Sequence, residues 1–289
     1  MTIDAYRSLS DKAKEEILDL ESSCIEHDNL RGSFFLDPSL NFEPQINSFF
    51  LYYQKGQLIS MLSMFIPTKH EAEITAYTLP ACRGKGFFKS LLGKAVEELT
   101  KFDIPELLFV CESNSTLGKQ VIKALKADYK HTEYFMRLDK SRYSCLKSYR
   151  LKLLKAEQKD FERAITANMS VFGDSYEESK SLIKNCFESD TRVHYLAVLN
   201  EEIIGVASAN LEGEDVSIFG LGVVPDYHGK GYGKELLHLM VDRFLKRGRS
   251  EITIEVNSEN ESALALYKTT GFRIEVAYEY YGAKVNQVL

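Results

Sequence analysis

The chain has 289 residues, 44% of them hydrophobic, which is enough for one large domain or two ordinary ones with substantial cores. A net charge of −6 gives no basic footprint for nucleic acid and would suit a cationic substrate, and no apolar run approaches the ~20 residues that cross a bilayer. The polar, acidic start MTIDAYRSLSDKAKEE is unlike a signal peptide, so a cytoplasmic protein without a membrane partner is expected; the five cysteines (Cys24, Cys82, Cys111, Cys145, Cys186) form no CxxC pair, read as reduced and mostly buried, and predict no metal.

In chain order, the first strand-like runs are SFFLYYQ, LISMLSMFI and EITAYTL, followed by a helical pattern over 86–100, the strand ELLFVCE, a helix over 116–127 and the strand TEYFMRL. No opening strand is evident before them. A polar stretch, DKSRYSCLKS (139–148), marks the expected junction, giving domains 1–140 and 141–289. Beyond it the order is YRLKLLK, helical segments around 157–171 and 176–188, then HYLAVL, IIGVASANL and VSIFGLGVV joined by short turns as an antiparallel meander. A helix over 234–247 leads to EITIEV, which returns by crossover and should pair in parallel with its predecessor. A last helix over 259–270 is expected to start at a capping box of Ser258 and Glu261, and FRIEVAYEYY to close the second domain.

The two lists are the same list. PACRGKGFFKSLL (80–92) matches PDYHGKGYGKELL (225–237) at an offset of 145 residues, in the proline, two glycines, two lysines and the leucine pair. Each copy follows a strand and opens an amphipathic helix, with Leu91, Leu92, Ala95, Val96 and Leu99 apolar in one and Leu236, Leu237, Met240, Val241 and Phe244 in the other. Two copies of one domain are therefore expected, in the α/β (α+β) class, each a mixed, mostly antiparallel sheet flanked by helices.

Gly229, Gly231 and Gly233 stand immediately before a helix, where positive φ and unpaired N–H groups together make a socket for phosphate. A Walker A loop is excluded because Lys234 is followed by Glu235 and His228 stands where the first glycine belongs; a dinucleotide fingerprint is excluded by the GKGYG spacing after an antiparallel meander. Gly220 and Gly222 inside the preceding strand read either as a bulge or close backbone approach, or as packing against a helix.

With Val223, Pro225, His228, Gly231 and Gly233 the sequence resembles the GNAT superfamily of N-acetyltransferases in both halves, as a tandem pair. His228 stands where the family has Gln or Arg. The resemblance implies acetyl-CoA as co-substrate, with the pantetheine arm along Leu221, Gly222, Val223 and Val224 and the pyrophosphate on His228, Gly229, Lys230, Gly231, Tyr232, Gly233 and Lys234. EVNSENESALALYKTTGF (255–272) is similar to the family's closing motif, most of all to that of the ribosomal-protein N-terminal acetyltransferases. By that likeness Asn260 contacts the cofactor, Tyr267 is the general acid and Glu255 the general base, with Asp215 and Glu214 as reserve carboxylates. The chemistry asks for such groups, since an amine must lose a proton to attack a thioester and the departing thiolate needs one.

The first copy departs from this pattern. Phe88 replaces the third glycine, where its ring would either crowd a pyrophosphate or point away, and Ile122 stands at the Tyr267 position. The expected function is transfer of an acetyl group to a small-molecule or peptide amine in the C-terminal domain, beside a degenerate N-terminal one. The alternative is an acyl-CoA-binding regulatory module without transferase activity; a second active site in the first half is the other reading.

Overall fold

The structure is a computed structural model and describes residues 2–32 and 36–288. The chain divides into two compact units: the described residues of Met1–Glu133 with Val276–Leu289, and Tyr134–Glu275.

In the first unit β1 (Thr2–Tyr6) and α1 (Asp11–Asp28) precede the meander β2 (Phe49–Gln54), β3 (Gln57–Phe65) and β4 (Glu71–Thr78). Then come α2 (Phe87–Lys101), β5 (Glu106–Glu112), α3 (Thr116–Ala124) and β6 (Asp128–Leu138), which continues into the second unit. The opening strand that hydropathy did not mark is TIDAY; its burial is shallow, and it is fixed by antiparallel pairing of Thr2–Tyr6 with Phe49–Tyr53. α1 was also not anticipated. It starts at Ser10, whose side chain accepts the Ala13 N–H, and buries Ala13, Ile17, Leu20 and Cys24 against Leu51, Leu58 and Met61.

The second unit repeats the order with β7 (Lys152–Lys155), α4 (Phe161–Phe172), α5 (Tyr176–Glu188), β8 (Arg192–Leu199), β9 (Glu202–Glu212), β10 (Asp215–Val223), α6 (Tyr232–Leu245), β11 (Glu251–Asn257) and α7 (Glu261–Thr270). Its strands lie in the order β6-β11-β10-β9-β8-β7; β10/β9, β9/β8 and β8/β7 pair antiparallel, and the β10/β11 crossover pair is parallel as its connection requires. The final strand, β12 (Phe272–Lys284), does not lie beside β11 as a strand closing the second copy would, a place that β6 takes; from Tyr278 to Lys284 it pairs antiparallel with Glu106–Glu112 of β5, giving β1-β2-β3-β4-β5-β12 in the first unit.

Helical spacing on α6 places Leu236, Leu237, Met240, Val241 and Phe244 together on the sheet, all buried, and each such burial stabilises by about 1.5–3 kcal/mol. α2 does the same with Leu91, Leu92, Ala95 and Leu99. α7 is capped by Asn260 rather than Ser258: the Asn260 Oδ1 accepts the Ala263 N–H at 3.1 Å, while Asn257 uses its own side chain in a turn with Glu259, which moves the helix start to Glu261. Of the five cysteines only Cys24 and Cys186 are buried and Cys145 is exposed, so the expectation of mostly buried thiols fails. Among the described residues no helix is long and apolar enough to cross a membrane.

Candidate active site

The two glycines of VSIFGLGVV have different causes. β10 pairs with β9 from Asp215 to Phe219, loses register, and resumes at Gly222 opposite Val206; the extra residue is accommodated at Gly220, whose φ of +54° favours glycine. Gly222 is glycine for packing, since a Cβ there would lie 2.3 Å from Val171 Cγ1 and 3.3 Å from the Phe172 ring at the end of α4. Pairing with β11 stops at Ile218/Ile254, although the strands run on to Val223 and Asn257. The β11 side of Phe219–Val223 is thus left without a strand partner, in a wedge that an extended ligand can enter as a short strand. Leu221, Gly222 and Val223 flank that wedge, whereas the Val224 N–H is already bonded to the Ile204 carbonyl at 2.8 Å.

The loop after β10 turns at Gly229 (φ +72°) and Gly231 (φ +83°), and no side chain caps α6, so the first-turn N–H groups lack a capping acceptor. The partial positive charge of the helix start adds to them. His228 ties the loop to its strand, with Nε2 2.6 Å from the Val223 carbonyl oxygen. Lys230 Nζ donates to the Asp226 carbonyl at 2.8 Å and lies 5.1 Å from the centre of the Tyr227 ring. The first copy has the same loop backbone: Gly84 and Gly86 have φ of +73° and +85°, and Arg83 Nε donates to the Thr78 carbonyl. Phe88, partly buried, packs against the first unit's core.

Tyr267 lies within the main core of the second unit, 6% exposed, with its ring 6.2 Å from Phe272. Its hydroxyl has no hydrogen-bond partner among the described residues, and burial pushes its pKa up to about 12. Glu255 is exposed on the opposite face of β11 from Ile254 and Val256, which belong to the same core cluster as Tyr267. On the Glu255 face, Ser217 Oγ and Thr253 Oγ1 are 3.1 Å apart. The reserve carboxylates lie at the other end of β10: Asp215, paired opposite Glu251, is roughly 16 Å along the strand from Gly220 at 3.3 Å per residue, and Glu214, which accepts from Ser250, is one residue further.

In the first unit β4 pairs with β3 without a register shift from Glu73 to Thr78, so the bulge is absent, and Ile122 is buried in the core. The C-terminal end of α1 is tied to both strands of the corresponding wedge. Asp28 holds Arg83 at 2.8 and 2.6 Å beside the end of β4, and Glu112 at the end of β5 accepts the N–H groups of Arg31 and Gly32 at 2.8 and 2.6 Å.

Sequence reasoning missed a buried polar pair beneath the bulge. His194 on β8 is 3% exposed, its Nδ1 is 2.9 Å from Ser208 Oγ, and its Nε2 has no partner among the described residues. Only the odd placement of a His in the apolar run HYLAVL signalled it. Burial pushes its pKa down to about 4. The unfolded chain, with an ordinary imidazole, then binds more protons between about pH 6.5 and pH 4, so stability is complete above that window and falls as pH drops through it, by roughly 3 kcal/mol at most. His194→Phe, which copies Phe49 of the first unit, should flatten this part of the Tm-against-pH curve; an unchanged slope would show that His194 does not drive it.

Comparison with known proteins agrees with this geometry. The family model described as "Acetyltransferase (GNAT) family" matches residues 14–132 and again 153–272. The chain belongs to the GNAT acetyltransferase family. Members of this family transfer an acyl group from acyl-CoA to an amine. A GCN5-related N-acetyltransferase from Sphaerobacter thermophilus superposes with a TM-score of 0.76 at 16% identity, over 98% of this chain and 96% of the other. A tandem GNAT protein from the clavulanic acid biosynthesis pathway gives 0.73 at 14% identity, over 98% of both chains. At such identities the likeness is one of fold, and it confirms the tandem arrangement. The [ribosomal protein bS18]-alanine N-acetyltransferase of Escherichia coli (strain K12) is 28% identical over 85 residues, 29% of this chain and 57% of the relative. The chain thus matches little more than half the length of that curated relative.

Proposed function

We propose that the second unit, Tyr134–Glu275, carries the acetyl transfer, from acetyl-CoA to a primary amine, and that the first unit is a degenerate copy. The observation that carries this reading is the bulge at Gly220 beside the unpaired β11 side of β10, which the first unit lacks. The residues fit the co-substrate on three counts: uncapped N–H groups after Gly229 and Gly231, unpaired backbone in the wedge, and a buried phenol without a partner.

Bound acetyl-CoA supplies a thioester whose carbonyl carbon the amine attacks. Loop residues 229–234 hold the pyrophosphate through backbone N–H groups, and Leu221–Val223 align the pantetheine arm as an added strand. Asn260 presents its side chain at the start of α7. Glu255, on the open face, takes the proton of the incoming ammonium directly or through water. Tyr267 stays protonated at neutral pH because burial raises its pKa, and donates a hydrogen bond as charge gathers on the departing sulfur.

The acceptor class follows the curated relative, whose name specifies the alanine amine of ribosomal protein bS18. A peptide N-terminus is the first acceptor to try, and small amines the second. The test is labelled acetyl-CoA incubated with peptide and small-amine libraries, together with calorimetric titration. Transfer with one CoA bound per chain is expected. Binding without transfer would favour a regulatory module, and two equal sites would remove the distinction between the units.

A further inference from the structure

We propose that Arg150 is a positioning residue for the phosphate cradle, fixing the peptide between Lys230 and Gly231 so that its N–H faces the ligand. The inference rests on the acyl-CoA reading of the second unit and adds a residue to it that no family motif marks.

Arg150 stands two residues before β7, in a segment that sequence reading placed in the strand YRLKLLK. Its guanidinium is held on three sides. Nε donates to Glu235 Oε2 at 3.0 Å, Nη2 donates to the Lys230 carbonyl oxygen at 3.2 Å, and the group lies 4.1 Å from the centre of the Tyr232 ring. Glu235 is itself only 4% exposed and is fixed further, because its other oxygen accepts the backbone N–H groups of both Arg150 and Leu151. The planar fork of an arginine is suited to such a double role, and a lysine could satisfy only part of it.

The consequence lies in peptide geometry. The Lys230 C=O and the Gly231 N–H belong to one trans, planar unit, and they point in opposite directions. A guanidinium that grips the carbonyl from one side turns the N–H to the other. Glycine at 231, with φ of +83°, leaves that peptide free to rotate if nothing holds it. Nη2 lies 3.6 Å from where a Gly231 Cβ would be, so the clamp sits directly behind the turn. A cradle whose amides are oriented beforehand binds an anion without the cost of ordering them.

The first copy provides the contrast. Its loop has the same glycine conformations, yet at the 145-residue offset Tyr232 becomes Phe87, which packs on Tyr52, and Glu235 becomes Ser90, which bonds back to the Gly86 carbonyl. β1, TIDAY, brings no basic side chain to the loop. The clamp is present only where the bulge and the buried tyrosine are.

The test measures Kd for CoA, 3′-dephospho-CoA and pantetheine, the last by NMR at millimolar concentration, with the wild type, Arg150→Ala and Arg150→Lys. In Arg150→Ala both pyrophosphate-bearing ligands should bind roughly ten- to a hundredfold more weakly, as for loss of a charge-assisted hydrogen bond, and pantetheine should be unaffected. Arg150→Lys should recover part of the loss. Equal weakening of all three ligands would show a merely structural role, and no weakening would show no role; both overturn the proposal, as does an effect confined to CoA, which would place Arg150 on the 3′-phosphate. Should Arg150→Ala not fold, the Lys variant alone decides, because intermediate weakening limited to the pyrophosphate ligands is still required. If the wild type binds none of the ligands, the acyl-CoA reading itself fails, a result distinct from any of these.

Discussion

Tyr267→Phe should lower turnover by about 10²- to 10⁴-fold while leaving acetyl-CoA affinity nearly unchanged. The substitution keeps the ring, which packs in the core beside Phe272, and removes only a hydroxyl that bonds to nothing among the described residues. The variant loses no hydrogen bond among the described residues, so its stability should stay close to that of the wild type, and a hydroxyl without a protein partner is available to donate to a ligand. Because burial raises its pKa to about 12, the phenol should produce no limb in the pH–rate profile below about pH 10. Steady-state rates with an identified acceptor, and melting temperature, check all three statements. Turnover within a few-fold of wild type would leave Tyr267 as a core residue and throw the chemistry onto Glu255.

Much of this arrangement was legible in the sequence because short-range physics wrote it there. The α6 face follows from 3.6-residue spacing of Leu236, Leu237, Met240, Val241 and Phe244, and the meander follows from turns such as NEE and EGED. The loop followed from glycine chemistry at Gly229 and Gly231, which take positive φ, but Gly233 does not precede the helix as expected: α6 starts at Tyr232, so Gly233 lies in its first turn with ordinary φ, and a Cβ there would meet only Leu266 Cδ2 at 3.9 Å. What was not legible depends on partners distant in the chain. TIDAY becomes a strand only because Phe49–Tyr53 lies open to it, and the last strand pairs with β5 although nothing in FRIEVAYEYY names that neighbour. Whether the Phe88 ring would crowd the loop or point away was left open by the sequence, because it is a matter of side-chain direction, and it packs on the core. Arg150 and Glu235, 85 residues apart, carried no joint signal at all.

The same distinction separates Gly220 from Gly222, two residues apart in one strand and alike on the page. A Cβ at Gly220 would meet only Ser208 Oγ, at 3.8 Å, so there is room for a side chain; what the site demands is φ of +54°. An L-residue held there costs roughly 1–2 kcal/mol, more when β-branched, and relaxing that strain means abandoning the extra residue and sliding Leu221–Val223 by one position. Gly220→Val should therefore weaken CoA binding and lower turnover about a hundredfold or more, the scale of losing an aligned backbone donor, with a modest fall in Tm. Gly222 is the reverse case. Its φ is unexceptional, but a methyl there would overlap Val171 at 2.3 Å, so Gly222→Ala should destabilise by about 1–3 kcal/mol through overpacking. Val171→Ala added to Gly222→Ala should restore much of that stability, because it removes the overlapping atoms, whereas it should do nothing for Gly220→Val. Melting curves and CoA titrations of the four variants decide the matter: rescue of Gly220→Val by Val171→Ala, or unchanged CoA affinity in Gly220→Val, would mean that the bulge is a packing accident and not the element that opens β10 to the co-substrate.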